Sequence, residues 1–391
     1  MPNPLLTLFS GSKFPLILLL PVLSACGLTD PLQTAPPLPP LTKEALGKQL
    51  FHDEQLSEPA GQSCASCHHS KTGFADSGLR VSPGADPTRY GNRNAPTVAY
   101  SHLTPDWHYN AEDGTWIGGF FLDGRASSLK EQVKGPLFNP LEMNNSSVAV
   151  FRDKLRQQPY AQDIERLYGV AIWDQPERAL DAVAEAIAAF EASSEVNPFS
   201  SKYDAYLRGE TPLSAIEKEG LQLFEAEEKG NCAACHPSQP SADGQPPLFT
   251  DFSYDNLGTP APVGFPFHAV TVFNPEGALR RDQGLADNPR IHTDERGKFK
   301  VPTLRNSALT GPYMHNGTFA DLEEVVAFYN KRDISDRWGA PEVAANVNTE
   351  ELGDLKLTVA EEHALVAFLQ TLSDGWSTTE LPLTPVTNPS H

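Results

Sequence analysis

The sequence is poor in cysteine, in positive charge and in long apolar runs, and each shortage excludes something. Four of the five cysteines fall in two Cys-x-x-Cys-His motifs and the fifth is Cys26, so no pair remains for a disulfide. The fold must therefore rest on its core and on whatever the motifs bind. Lys and Arg number 30 against 50 Asp and Glu, a net charge of −20 with a pI near 4.9. That balance excludes nucleic acid as a partner and suits a soluble body that meets basic or dipolar partners. The apolar run over residues 14–23 is about half the ~20 residues that cross a bilayer as a helix. Sustained alternation of period two is missing as well, so strands should be few and short.

What is present is Cys64-Ala65-Ser66-Cys67-His68 and its echo, Cys232-Ala233-Ala234-Cys235-His236. On a helical turn, residues i, i+3 and i+4 share a face, so two thiols can each bond a haem vinyl group while the imidazole reaches the iron. A lone C-x-x-C would equally suit a zinc ribbon or a redox pair. Two copies, each followed at once by His, read as two c-type haem attachment sites.

The run at 14–23 carries Pro15 and Pro21, follows the single cation Lys13, and reads as the core of a signal peptide spanning residues 1–25. It ends in Leu23-Ser24-Ala25-Cys26, which resembles the lipobox of bacterial lipoproteins and makes Cys26 a lipidated first residue; an ordinary secretory signal with an incidental Cys is the other reading. Either way the chain is exported, to the periplasm. Residues 26–40 form a Pro-rich tether that favours extended polyproline geometry and holds the body off the membrane. A mature chain of about 365 residues accommodates two domains. The expected division is 41–195 and 196–377, each with one haem motif, followed by a Pro/Thr-rich tail over 378–391.

A helix starts at Thr42-Lys43-Glu44-Ala45 and runs through Leu46, Leu50 and Phe51. Apolar stripes mark further helices: Leu180, Val183, Ile187 and Phe190; Leu322, Val325, Val326 and Tyr329; Leu365, Phe368, Leu369 and Leu372. The last follows a capping-box pattern, Thr358-Val359-Ala360-Glu361. From Lys71 to Trp116 the chain is rich in Gly, Pro, Asn and Asp, and so long an irregular stretch is usually functional or packed on a cofactor. The expected fold is mostly α: two cytochrome c-like domains, each wrapped around one covalently bound haem, with long irregular loops. The wide spacing of the motifs leaves more protein per haem than electron carriage needs, which implies a built pocket at one of them.

From Leu46 to about Leu372 the sequence resembles the bacterial di-haem cytochrome c peroxidases and their relatives, the MauG enzymes that mature methylamine dehydrogenase. The likeness is carried by Gly47-Lys48-Gln49-Leu50-Phe51, Arg93-Asn94-Ala95-Pro96-Thr97-Val98, Phe121-Leu122-Asp123-Gly124-Arg125-Ala126, Gln132-Val133-Lys134-Gly135-Pro136, Asn139-Pro140-Leu141-Glu142-Met143, Val301-Pro302-Thr303-Leu304-Arg305-Asn306 and Gly311-Pro312-Tyr313-Met314-His315-Asn316-Gly317.

The resemblance implies that the peroxidatic haem is the N-terminal one, on Cys64, Cys67 and His68. Its pocket in the family holds a Gln, a Pro four residues on and a Glu ten residues on, which are matched by Gln132, Pro136 and Glu142. A base there takes the proton from the near oxygen of peroxide and returns it to the far one; on its own, Glu142 would read as a solvated turn carboxylate. The second haem, on Cys232, Cys235 and His236, takes a distal ligand one helix after Tyr-Met-His-Asn-Gly, Met in the peroxidases and Tyr in the MauG enzymes. Tyr329 matches, although it also falls on a core stripe. A Ca²⁺ between the haems is implied at Asn94, Thr310 and Pro312, where oxygen-only ligation suits a hard cation; Asn94 otherwise reads as a turn residue.

Two departures matter. The loop before Arg-Asn-Ala-Pro, residues 82–89, has no His to block the N-terminal haem, which implies a haem open without reductive activation, and His315 reads as a structural residue. The family's inter-haem Trp is replaced by Leu122, and Trp107 and Trp116 are the candidates to substitute for it. The expected activity is reduction of hydrogen peroxide to water with electrons from a small cytochrome c or cupredoxin. A MauG-like oxidation of Trp or Tyr side chains in a partner protein is the second reading, and a non-catalytic di-haem electron carrier the third. Because peroxidases of this family are often dimers, a homodimer is also expected.

Overall fold

The computed structural model describes residues 41–76 and 78–377, so the signal peptide, Cys26, the tether and the tail lie outside the described residues. Helices account for most of the regular structure: α1 (Lys43–Phe51), α2 (Cys64–Cys67), α3 (Leu129–Phe138), α4 (Val148–Leu155), α5 (Ala161–Tyr168), α6 (Pro176–Glu191), α7 (Lys202–Leu207), α8 (Ala215–Glu225), α9 (Leu322–Lys331) and α10 (Val359–Gln370). Strands are limited, among the described residues, to two antiparallel pairs. One is β1 (His108–Asn110) with β2 (Thr115–Ile117), the other β3 (Tyr254–Asp255) with β4 (Phe299–Lys300). The expectation of a mostly helical chain with few short strands holds. No described helix is long and apolar enough to cross a membrane.

The helix ends follow local chemistry. Thr42 caps α1 by accepting from the Ala45 amide at 3.0 Å, and Thr358 with Glu361 closes a reciprocal capping box on α10. Leu372 lies in the turn beyond α10 yet is fully buried, so the apolar stripe outlasts the helix.

Two hydrophobic cores organise the body. Leu46, Leu50, Phe51, Val183, Ile187 and Phe190 belong to the first, which extends to Val196. Tyr203, Phe224, Phe249 and Phe368 belong to the second, with ring centroids 5.2–6.2 Å apart in mostly edge-to-face pairs. Each core is built on a close helix crossing with glycine at the contact. A Cβ on Gly47 of α1 would lie 1.9 Å from the Ala186 carbonyl oxygen and 3.0 Å from the Phe190 Cβ on α6. A Cβ on Gly220 of α8 would lie 1.9 Å from the Ala364 carbonyl oxygen and 2.8 Å from the Phe368 Cβ on α10. The surrounding sequences match too, Gly47-Lys48-Gln49-Leu50-Phe51 against Gly220-Leu221-Gln222-Leu223-Phe224. One device therefore appears twice: the helix just ahead of a haem motif, α1 or α8, is laid backbone to backbone on a later helix, α6 or α10.

Between the cores, charge pairs tie the irregular segments together. Buried Arg93 holds Asp282 through two bonds of 2.7 Å and Asp123 at 2.6 Å. These carboxylates keep the guanidinium charged despite its burial, and Arg93 in turn drives the Asp282 carboxyl well below the usual range. Arg305, fully buried, makes a bidentate pair with Asp204 at 2.8 and 3.0 Å and lies over the rings of Phe199 and Tyr100. The Tyr100 hydroxyl reaches across to Asp374 at 2.8 Å.

Candidate functional site

Both Cys-x-x-Cys-His motifs fold as one tight turn that presents three side chains to a common cavity. The first is the α-helical turn α2; the second is a 3₁₀ turn over Cys232–Ala234. In each, the His amide donates to the carbonyl of the first Cys at 2.9 Å, His68 to Cys64 and His236 to Cys232, which closes the turn. The Nδ1 atoms are engaged by backbone carbonyls, His68 with Phe74 at 3.2 Å and His236 with Phe249 at 2.7 Å. With Nδ1–H donating, Nε2 keeps its lone pair for a metal. Burial reinforces this by lowering both imidazole pKa values, that of His236 to about 4.

All four thiols are free and line one cavity of about 470 Å³ together with both imidazoles. Burial pushes Cys67 up to about 11 and Cys232 and Cys235 to about 12. Among the described residues, no cluster of three or more His, Cys, Asp or Glu is placed to hold a bare metal ion. The donor set fits two covalently attached haems: Cys64, Cys67 and His68 would hold one, and Cys232, Cys235 and His236 the other.

Gln132 and Pro136, one turn apart on α3, line this cavity, as does Glu142 in the turn that follows. Proline at 136 removes one helical amide donor and the helix ends at Phe138. The Glu142 backbone amide then donates to Asn139 at 3.0 Å, which folds the chain back toward the cavity. Its carboxyl is raised by burial, with Asn139 and Arg125 partly opposing. Glu142 is close enough to raise the thiols of Cys64 and Cys67, so it belongs to the first motif's end of the cavity.

Tyr329, on α9, lines the cavity at the second motif's end. After burial, the thiols of Cys232 and Cys235 are the next causes that raise its phenol pKa, so the hydroxyl faces the second turn. Asn94, Thr310 and Pro312 all line the cavity as well, and the Asn94 amide donates to the His315 carbonyl at 2.7 Å, joining the two stretches. His315, the third imidazole among the lining residues, has its Nε2 taken by Glu342 at 2.9 Å and its ring stacked on Phe299 at 3.9 Å. It is a wall residue held from both sides. Leu122 also lines the cavity, and its carbonyl accepts from the Lys300 amide at 2.9 Å. Trp107 and Trp116 do not line it; they stack on each other at 4.7 Å beside the β1–β2 hairpin.

Several cavity groups escaped the sequence reading. Glu191 ends α6 with one carboxyl oxygen that has no partner, and burial raises it to about 8. A Glu one turn after Ile187 on a core stripe was the available signal. Lys300 is half-buried, its amine is lowered by desolvation to about 8, and it donates to the Gly119 carbonyl at 2.6 Å. Nothing in its local sequence marks it.

The fold and cavity define a di-haem c-type oxidoreductase, and the comparisons agree: residues 41–212 match the family described as di-haem cytochrome c peroxidase, to which this chain belongs. The chain is 42% identical to the methylamine utilization protein MauG of Paracoccus denitrificans over 84% of its own length and 88% of that protein's. It is 31% identical to the cytochrome c551 peroxidase of Nitrosomonas europaea over 88% of this chain and 83% of the relative. Among solved structures, the diheme peroxidase BthA of Burkholderia thailandensis superposes with a TM-score of 0.76 at 35% identity, covering 86% of this chain and 87% of that one. Membership brings two haem c groups and the peroxidase class of oxidoreductase.

Proposed function

We propose that this protein reduces hydrogen peroxide to water at the N-terminal haem, held by Cys64, Cys67 and His68. The observation that carries this is Glu142: a half-buried residue whose carboxyl is raised by desolvation, in the same cavity wall as that motif. The balance is one peroxide, two electrons and two protons to two waters. A haem held by Cys64, Cys67 and His68 would supply the iron chemistry that cleaves the oxygen–oxygen bond. Glu142 takes the proton from the near oxygen and hands it to the far one, which leaves as water. Desolvation raises the proton affinity of this carboxyl, which suits it to take up a proton and give it back. Gln132, on the adjoining helix face, orients the peroxide by hydrogen bonding.

At the C-terminal haem, His236 and Tyr329 are the proposed ligands, and electrons from a small cytochrome c or cupredoxin enter there. Asn94, Thr310 and Pro312 are proposed to hold a Ca²⁺ between the halves through oxygen atoms. The imidazoles lining the cavity are His68, His236 and His315, and the last is engaged by Glu342, which supports an N-terminal haem open in its resting state. We assign the two halves to residues 41–195 and 196–377, and place the protein in the periplasm as a lipid-anchored homodimer modified at Cys26.

The 42% identity to MauG favours a second reading, in which peroxide drives oxidation of Trp or Tyr side chains on a partner protein. One experiment separates the readings: record the ferric spin state, then follow peroxide consumption with and without a reduced small cytochrome. A high-spin component and donor-dependent turnover are expected. Peroxide-driven change in the resting protein with no use of the donor would favour the second reading. A fully low-spin protein inert to peroxide would leave only an electron carrier.

A further inference from the structure

We propose that Trp107, Trp116 and Tyr109 form a ladder along which oxidising equivalents leave the inter-haem segment for the surface, where an external one-electron reductant is consumed at Tyr109. The inference rests on the peroxidase reading and adds a second point of electron entry to it.

The inner rung abuts the segment that bears Leu122. A Cβ on Gly124 would lie 2.1 Å from the Trp107 ring and 2.5 Å from the Tyr254 hydroxyl, and one on Gly119 would lie 2.8 Å from Trp107. Both glycines take positive φ and let the chain run flat against the indole. Beyond it, Trp107 stacks on Trp116 with centroids 4.7 Å apart and planes 15° from parallel, and Trp116 meets Tyr109 edge-on at 5.3 Å. The hairpin register pairs Tyr109 with Trp116 directly, so the outer contact is fixed by the backbone. The Tyr109 side of the ladder is open, with 49% of the residue exposed.

The chemistry sets a direction. Arg290 lies 5.0 Å above the Trp107 ring, and a fixed cation there disfavours a resting positive charge on that indole. The Trp116 indole N–H is buried without an acceptor, so an oxidised Trp116 has no base to neutralise it. Tyr109, half-exposed at the outer end, can shed its phenolic proton to water and so retain the vacancy as a neutral radical. Tyr254, packed edge-on against Trp107 at 5.6 Å, donates its hydroxyl to the Gly118 carbonyl at 2.7 Å; it has no base either and acts as a buttress.

In each passage Tyr109 gives one electron inward and one proton to solvent. The external reductant returns the electron and water returns the proton. Two passages supply the two electrons that one peroxide accepts, its two protons being drawn from solvent.

The holoprotein is treated with peroxide in the presence of a nitrone spin trap, peroxide loss is followed, and the covalent adduct is located by peptide mass spectrometry. The adduct is expected on Tyr109. It should be lost in Tyr109→Phe, and be much reduced on Tyr109 in Trp116→Leu, which breaks the ladder but leaves Tyr109 in place. Peroxide consumption with no adduct at Tyr109, or with the Tyr109 adduct undiminished in Trp116→Leu, overturns the ladder and leaves the peroxidase reading standing. Absence of peroxide consumption overturns the peroxidase reading, and the ladder falls with it.

Discussion

Single carboxyls carry most of what can be tested residue by residue. Glu142→Gln removes the proton acceptor while keeping size and polarity, so covalent haem content should be unchanged and peroxide cleavage slowed by ~10²-fold or more. Stopped-flow mixing with peroxide measures it, and an unaltered rate would return Glu142 to the status of a turn carboxylate. Glu191 makes a different prediction, because burial alone lifts it from 4.5 to about 8. Between those values the folded protein holds a proton that the unfolded chain has lost, so stability falls as pH rises through the window. The melting temperature of the holoprotein should therefore decline from pH 4.5 to 8 relative to Glu191→Gln, in which the term is absent; parallel curves would refute the assignment. At the other haem, a phenolate donates more strongly than a thioether and favours ferric iron. Tyr329→Met should raise the C-terminal reduction potential in a spectroelectrochemical titration, and no shift would remove Tyr329 from the ligand set.

Helix crossings govern the next scale. An alanine at Gly220 would place its Cβ 1.9 Å from a backbone carbonyl of α10, a contact that no rotamer change relieves. Gly220→Ala should cost at least the ~1–3 kcal/mol typical of overpacking, read as a lower midpoint in denaturant melts with both haems retained. Gly47→Ala should behave alike against α6. These crossings also show what the sequence made legible. Periodicity located α6, α9 and α10, and the haem motifs and Thr358 announced themselves, because each depends on neighbours only a few residues away. The match between the segments at Gly47 and Gly220 was equally available, but its meaning lies in carbonyls more than a hundred residues distant. Arg93 with Asp282, Lys300 with Gly119, and the unpartnered oxygen of Glu191 belong to the same class. They are set by how irregular segments meet in space, and no local pattern records that. Trp107 and Trp116 show the converse: their residue type singled them out as inter-haem candidates, while the fold turns them outward.

For the whole molecule, the repeated crossing gives each haem turn its own clasp of two helices, α1 with α6 and α8 with α10. Opening the chain after Asn197 would leave α1 with α6 in one piece and α8 with α10 in the other. What the cut separates are the contacts across the middle: Arg93 with Asp282, Lys300 with Gly119, and Tyr100 with Asp374. Breaking a buried ion pair by losing one partner costs about 3–5 kcal/mol, which becomes a drive for the pieces to rejoin. Co-expressed fragments should therefore migrate as one particle with two covalent haems in size-exclusion chromatography, and Arg93→Ala should loosen it; independent migration of the wild-type pieces would contradict this. Co-migration of the pieces would make the peptide link near Asn197 a convenience of synthesis, joining two parts that their own side chains already hold together.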